Sequence, residues 1–81
     1  MVVIAKNTNN IIVNVENLKL HCEITGNSIL AVTIWGNEYI AYSGYDTPVM
    51  YDRLLTDIIN HKIKQDSIIK FHAEGYDIYD Y

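Results

Sequence analysis

Apolar and polar residues alternate along much of the first half of the chain, which is the pattern of β-strands with one buried face. The clearest alternation runs from Leu18 to Ile24, where even-numbered positions are apolar and most odd-numbered positions are polar. Short β-branched runs at Val2–Lys6 and Ile11–Val15 predict two further strands. The polar residues Asn7–Asn10 between these runs are suited to a turn.

The alternation changes phase near Glu16-Asn17. Val13 and Val15 are apolar at odd positions, whereas the next apolar set lies at even positions. A phase change of one residue requires either a tight turn or a β-bulge. The sequence leaves both open.

Two hairpins follow. We expect Thr25-Gly26-Asn27 to form a three-residue loop with Asn27 in the left-handed conformation, because this length creates one continuous apolar face. The aligned pairs are then Cys22 with Leu30, Leu20 with Val32, and Leu18 with Ile34. Gly36-Asn37 predicts a two-residue turn between strands at Ile29–Trp35 and Glu38–Ser43. That turn sets Ile34 beside Tyr39 and Val32 beside Ala41.

A helix is predicted over residues 48–64. Thr47 can cap it with its hydroxyl, and Pro48 suits the first helical position. Apolar residues then recur at helical spacing: Met50, Tyr51, Leu54, Leu55, Ile58 and Ile59. A last strand is expected at Ser67–Glu74. The predicted fold is a single α+β domain over residues 1–81, a mostly antiparallel sheet of about five strands with one helix packed on one face.

Composition agrees with one small folded domain, since 49% of the 81 residues are apolar and 20% are charged. Ten acidic and six basic residues give a net charge of −4, which gives the chain no electrostatic reason to bind nucleic acid or an anionic membrane. One cysteine cannot form an internal disulfide. Without a basic segment before its first apolar run, the N-terminus is not a signal peptide, so we expect the cytosol of a host cell.

The side chains that could support catalysis are dispersed. His21, His61 and His72 lie on three predicted elements without metal-ligand spacing. His21 and Cys22 are neighbours on a strand and therefore face opposite sides, with Cys22 expected as an inert thiol in the core. No phosphate-binding loop or nucleophile motif is present. We therefore expect no enzymatic activity, no metal and no cofactor.

The C-terminal segment is acidic and aromatic. Its candidate partner-binding residues are Glu74, Tyr76, Asp77, Tyr79, Asp80 and Tyr81. Tyrosines combine apolar area with a polar tip and are enriched at interfaces, so this segment could contact a basic partner. The alternative is that residues 75–81 form an ordinary last strand or a solvated tail.

A second candidate surface is the side of the sheet that the helix cannot cover. The predicted register places six residues there: Ile29, Ala31, Thr33, Trp35, Ile40 and Tyr42. Trp35, Glu38, Ile40 and Tyr42 are the candidate contact residues, and the Trp35/Ile40/Tyr42 face could form a homodimer. Alternatively, the N-terminal strands or the C-terminal segment cover this face.

These features indicate a binding protein. The chain has a composition rich in Ile, Asn, Asp and Tyr, a hairpin at Gly36-Asn37-Glu38-Tyr39 before a helix, and the acidic end Glu74–Tyr81. In these features it resembles the small inhibitors that phages and mobile elements encode against host defence. The resemblance to these anti-CRISPR and anti-restriction proteins implies a protein partner, such as a nucleic-acid-handling enzyme with a basic groove. The alternative is a homo-oligomeric structural or accessory protein of a phage or plasmid.

Overall fold

The computed structural model describes residues 1–80 and confirms the α+β class, with seven strands instead of about five. The strands are β1 (Val2–Ile4), β2 (Ile11–Ile12), β3 (Val15–Glu23), β4 (Gly26–Thr33), β5 (Glu38–Ser43), β6 (Ile68–His72) and β7 (Gly75–Tyr79), and the helix α1 is Thr47–Ile59.

The strands form two sheets. The four-stranded sheet has the order β2-β1-β6-β7, and the three-stranded sheet has the order β3-β4-β5. All pairings are antiparallel except that of β1 with β6, which is parallel. Backbone hydrogen bonds join the sheets at two places: Met1 and Val15 exchange bonds of 3.1 and 2.9 Å, and the Lys6 N–H donates to the Ala41 carbonyl at 2.9 Å.

The helix forms hydrogen bonds with a strand of each sheet. On one side the Tyr51 hydroxyl donates to the Leu18 carbonyl at 3.4 Å. On the other side the Tyr76 hydroxyl donates to Asp57. Met50 and Leu54 point into the core, so the amphipathic pattern of the helix was predicted correctly in this part.

The predicted helix bounds were wrong at the C-terminal end. The helix ends at Ile59, and His61 has a left-handed φ of 60°, which stops further helical hydrogen bonding. At the N-terminal end, Thr47 is itself helical, and its hydroxyl donates to the Gly44 carbonyl at 2.6 Å. The expected hydroxyl cap is therefore absent, while Pro48 occupies the first turn as predicted.

The core is centred on Phe71. Its ring lies 5.8 Å from the Tyr42 ring and 5.7 Å from the Tyr76 ring, measured between centroids. Leu54 from the helix and Ile69 from the same strand are fully buried in the same cluster. The core therefore unites both sheets and the helix.

The predicted register of the first hairpin was wrong. The turn consists of two residues, Ile24 and Thr25, because Glu23 pairs with Gly26. Ile29 therefore lies opposite Leu20, and Ala31 lies opposite Leu18. Asn27 does not adopt the left-handed conformation; Gly26 has the positive φ instead, at 146°.

The second hairpin also differs from the prediction. β4 ends at Thr33, so the connection to β5 has four residues, Ile34–Asn37. Val32 therefore pairs with Glu38, and Ala31 pairs with Tyr39. The phase change near Glu16 is a bulge within the continuous strand β3, which settles the alternative left open by the sequence.

These shifts reverse the faces of β4, so Ile29, Ala31 and Thr33 are buried in the core instead of lying on the uncovered face. Tyr42 of β5, expected on the uncovered face, is buried as well. Ile40 lies on the outer face as predicted, where it pairs with Leu30. The prediction of a buried thiol was also wrong, since Cys22 is a free and exposed cysteine.

Candidate binding surfaces

Two of the predicted partner-binding residues are core tyrosines. Tyr42 is 1% exposed and Tyr76 is 5% exposed, so neither ring is available to a partner in this fold. Each hydroxyl donates to a carboxylate: Tyr42 to Asp46 at 2.9 Å and Tyr76 to Asp57 at 2.5 Å. Burial, together with the neighbouring carboxylate, raises the pKa of both tyrosines above its ordinary value.

Cations lie over both of these rings. Lys6 Nζ is 4.5 Å from the centroid of Tyr42, and the Arg53 guanidinium carbon is 4.9 Å from the centroid of Tyr76. Each core tyrosine thus has a carboxylate at its hydroxyl and a cation on its ring face. This arrangement ties the helix and the β1–β2 loop to the core, and we assign it a structural role.

The other candidate residues of the C-terminal segment that the structure describes, Glu74, Asp77, Tyr79 and Asp80, are exposed, and Tyr81 lies outside the described residues. Residues 75–79 form strand β7. Asp77 and Tyr79 point away from the core, and Glu74 lies in the turn before β7. Asp80 accepts a hydrogen bond of 2.7 Å from the Ser67 hydroxyl, which fixes the end of this segment against the start of β6.

The predicted residues from the β4–β5 region lie on a different side of the molecule. Trp35, in the connecting loop, is 66% exposed, and Ile40 is 61% exposed on the outer face of the three-stranded sheet. Glu38 on the same face forms a salt bridge with Lys19 at 3.1 Å. Trp35, Ile40 and Tyr42 do not form one face, because Tyr42 points into the core.

The exposure of Trp35 gives a simple spectroscopic prediction. Because its indole is already largely in contact with water, we expect its fluorescence emission to stay at long wavelength when urea unfolds the protein. Circular dichroism should report the unfolding transition at the same urea concentrations. A marked shift of the emission to longer wavelength on unfolding would contradict the placement of Trp35.

Another apolar surface is the outer face of the four-stranded sheet. Val3 and Ile69 pair with each other in the core, so their neighbours on each strand point outward. The outward set is Val2, Ile4, Ile11, Ile68 and Tyr79, joined as cross-strand neighbours. Ile11 is 68% exposed and Tyr79 is 51% exposed. We call these five residues the outer apolar face.

Charged side chains border the outer apolar face on the β6–β7 side. Lys70 and Asp77 are cross-strand partners, and His72 Nε2 lies 3.7 Å from Asp77 Oδ2. The carboxylates of Glu74 and Asp80 flank this pair along the chain. The border is therefore more acidic than basic.

Asp77 and Tyr79 are among the partner-binding residues predicted from the sequence, but the aliphatic residues beside them are not. Two sequence features indicate these aliphatic residues: the unbroken apolar run Val2–Ile4 and the doublet Ile68-Ile69. A strand that is apolar at consecutive positions must present apolar side chains on both faces, so only one set can enter a one-sided core.

The described residues contain no candidate metal-binding cluster. Across residues 1–80, no three His, Cys, Asp or Glu side chains are placed to hold a metal ion. Two grooves, of about 590 and 520 Å³, are open to solvent, and the second has Leu18, Leu55 and Ile58 in its walls. None of the helical structure in the described residues combines the length and the apolar character needed to cross a bilayer.

No family model, no curated protein and no solved structure matches this chain.

Proposed function

We propose that this chain is a non-enzymatic binding protein that contacts another protein through the outer apolar face. The observation that carries this proposal is the set of five apolar side chains on the outer side of the four-stranded sheet. Ile11 and Tyr79 are more than half exposed, and the other three are partly exposed. Contiguous apolar surface of this kind is characteristic of contact sites in soluble proteins. A central apolar area with a charged border is the usual composition of a protein interface.

The charges favour a basic partner. Glu74, Asp77 and Asp80 lie along the β7 side of the face, and Lys70 is the cross-strand partner of Asp77. The whole chain has a net charge of −4. Complementary potentials accelerate association and select partners of opposite charge. Together with the resemblance to anti-defence inhibitors, this supports a nucleic-acid-handling enzyme with a basic groove as the target.

The separation of the three histidines and the cysteine in the fold supports binding over catalysis. His21 lies on β3, His61 follows the helix, and His72 lies on β6. Cys22 is exposed on β3, next to His21 in sequence but on the opposite face of the strand. An activated nucleophile needs a base within hydrogen-bonding distance, which this arrangement does not supply.

The test begins with tagged protein purified from cells that contain restriction or CRISPR nucleases, with co-purifying proteins identified by mass spectrometry. Affinity for the purified partner is then compared between the wild type and the double variant Ile11→Ser/Tyr79→Ser. Both side chains are more than half exposed, so the variant should fold. We expect binding to weaken by about tenfold or more, because the variant truncates the two most exposed side chains of the outer apolar face.

The matched control is Ile40→Ser, because Ile40 is similarly exposed but belongs to the three-stranded sheet. Its affinity should equal that of the wild type. Asp77→Lys should weaken binding most at low salt, since the lost attraction is screened at high salt. Equal affinities for the wild type and the Ile11→Ser/Tyr79→Ser variant would show that the partner binds elsewhere.

A further inference from the structure

The free edge of β3 is the longest strand edge in the described structure. β3 has nine residues and a single strand neighbour, β4. The beginning of its other edge is closed by the backbone pairing of Val15 with Met1. Farther along, the Leu18 carbonyl accepts the Tyr51 hydroxyl. The open part of the edge therefore begins after Leu18.

The hairpin turn shows which backbone groups are free on this edge. In a two-residue hairpin, the residues that flank the turn form a hydrogen-bonded pair, here Glu23 with Gly26. Hydrogen-bonded pairs alternate along an antiparallel ladder, so Lys19 and His21 also bond to β4. The N–H and C=O groups of Leu20 and Cys22 therefore point away from β4. No residue of the described chain outside the ladder bonds to them.

We propose that a second copy of this chain occupies this edge, pairing antiparallel to β3 with His21 at the centre. Leu20 then lies opposite Cys22 of the second copy, and the reverse pair is equivalent by symmetry. Each pair exchanges two hydrogen bonds, so all four free groups of each copy are satisfied. The Leu18 carbonyl, which is already bound to Tyr51, is not needed.

Charge complementarity selects this register. With His21 at the centre, Lys19 lies opposite Glu23 of the second copy, and this pair occurs twice. Opposite charges in directly opposed positions stabilise a sheet. Lys19 already contacts Glu38 at 3.1 Å, and its ammonium has donors left for a second carboxylate.

The two neighbouring registers are less favourable. With Leu20 at the centre, Lys19 opposes His21, and the pairing requires the occupied carbonyl of Leu18. With Cys22 at the centre, Leu20 opposes Ile24, which lies in the turn and outside the strand. The free backbone groups of the strand, together with the Lys19–Glu23 pairs, therefore favour the register with His21 at the centre.

The proposed dimer joins two three-stranded sheets into one continuous sheet. The outer apolar face belongs to the other sheet and stays free in both copies. Each dimer therefore presents that face twice, which would increase the avidity for a partner with two sites. The dimer does not depend on the function proposed above.

Cysteine crosslinking tests the register. His21 lies opposite itself in a pair without hydrogen bonds, where Cα atoms are about 4.5 Å apart, within the range of a disulfide. We expect the variant His21→Cys/Cys22→Ser to form a covalent dimer rapidly under mild oxidation. The control Lys19→Cys/Cys22→Ser should not, because its two thiols would be four residues out of register. Equal crosslinking of both variants would overturn the register.

Charge reversal tests the interface. Sedimentation of the wild type should show a dimer, and Lys19→Glu should weaken its association by about tenfold or more, because like charges then oppose each other. The double variant Lys19→Glu/Glu23→Lys should restore the dimer. The control Lys70→Glu on the four-stranded sheet should have no effect, and circular dichroism checks that each variant is folded. A monomeric wild type, or a dimer that Lys19→Glu does not weaken, would overturn the proposal.

Discussion

Phe71→Ala should lower the free energy of unfolding by about 3–5 kcal/mol, the range for removal of a buried aromatic ring. Phe71 is fully buried between the rings of Tyr42 and Tyr76, on a strand in the middle of the four-stranded sheet. Small domains are stabilised by only about 5–15 kcal/mol in total, so much of the stability would be lost. Urea denaturation followed by circular dichroism measures the change. Phe71→Leu, with a smaller cavity, gives a measurable value if the alanine variant does not fold.

The control for this prediction is Trp35→Ala. It removes a larger ring, but one that lies mainly in solvent. Exposed substitutions usually change stability by less than about 0.5 kcal/mol. If Trp35→Ala destabilised the protein as much as Phe71→Ala, the placement of the core between the two sheets would be wrong.

The second large effect is expected for Tyr76→Phe. This change deletes the hydroxyl that donates to Asp57 and leaves the half-buried carboxylate without that donor. Hydrogen bonds to charged groups contribute about 1.5–3 kcal/mol, so the free energy of unfolding at neutral pH should fall by this amount. Tyr79→Phe is the matched control, because Tyr79 lies on the outer face and is half exposed. It should leave stability unchanged.

Alkaline pH provides an independent test of the same residue. Burial and the Asp57 carboxylate raise the pKa of Tyr76 in the folded protein above its ordinary value. The unfolded chain loses the tyrosine proton above about pH 10, while the folded chain retains it. The stability contributed by this group is therefore fully present below that pH and is lost as the pH rises further. The stability difference between the wild type and Tyr76→Phe should narrow at high pH, and a constant difference would contradict this account.

The elements were largely predictable from sequence, but the pairing was not. The run Ile29-Leu30-Ala31-Val32 is apolar at every position, so alternation could not decide which residues face the core. The predicted three-residue loop aligns the even positions, whereas the protein buries Ile29 and Ala31 completely. The two bulges, near Glu16 and in β5, add single-residue shifts that depend on tertiary packing.

The candidate surface was predictable only in part, for the same reason. Asp77 and Tyr79 alternate with buried residues, and their exposure follows once β7 is known to pair with β6. The aliphatic part of the face comes from β1 and β2, at the opposite end of the sequence. Only the parallel pairing of β1 with β6 brings these residues together, and no local pattern indicates such a pairing.

That parallel pairing also constrains how the chain acquires its fold during synthesis. The β3-β4-β5 meander uses only neighbouring hairpins and can close early, whereas β1 must wait for β6, which follows the meander and the helix in the chain. Until β6 emerges from the ribosome, the apolar strand β1 has no neighbour on the side opposite β2. Slow translation of β6, or a premature stop before it, should therefore leave a half-assembled species prone to aggregation.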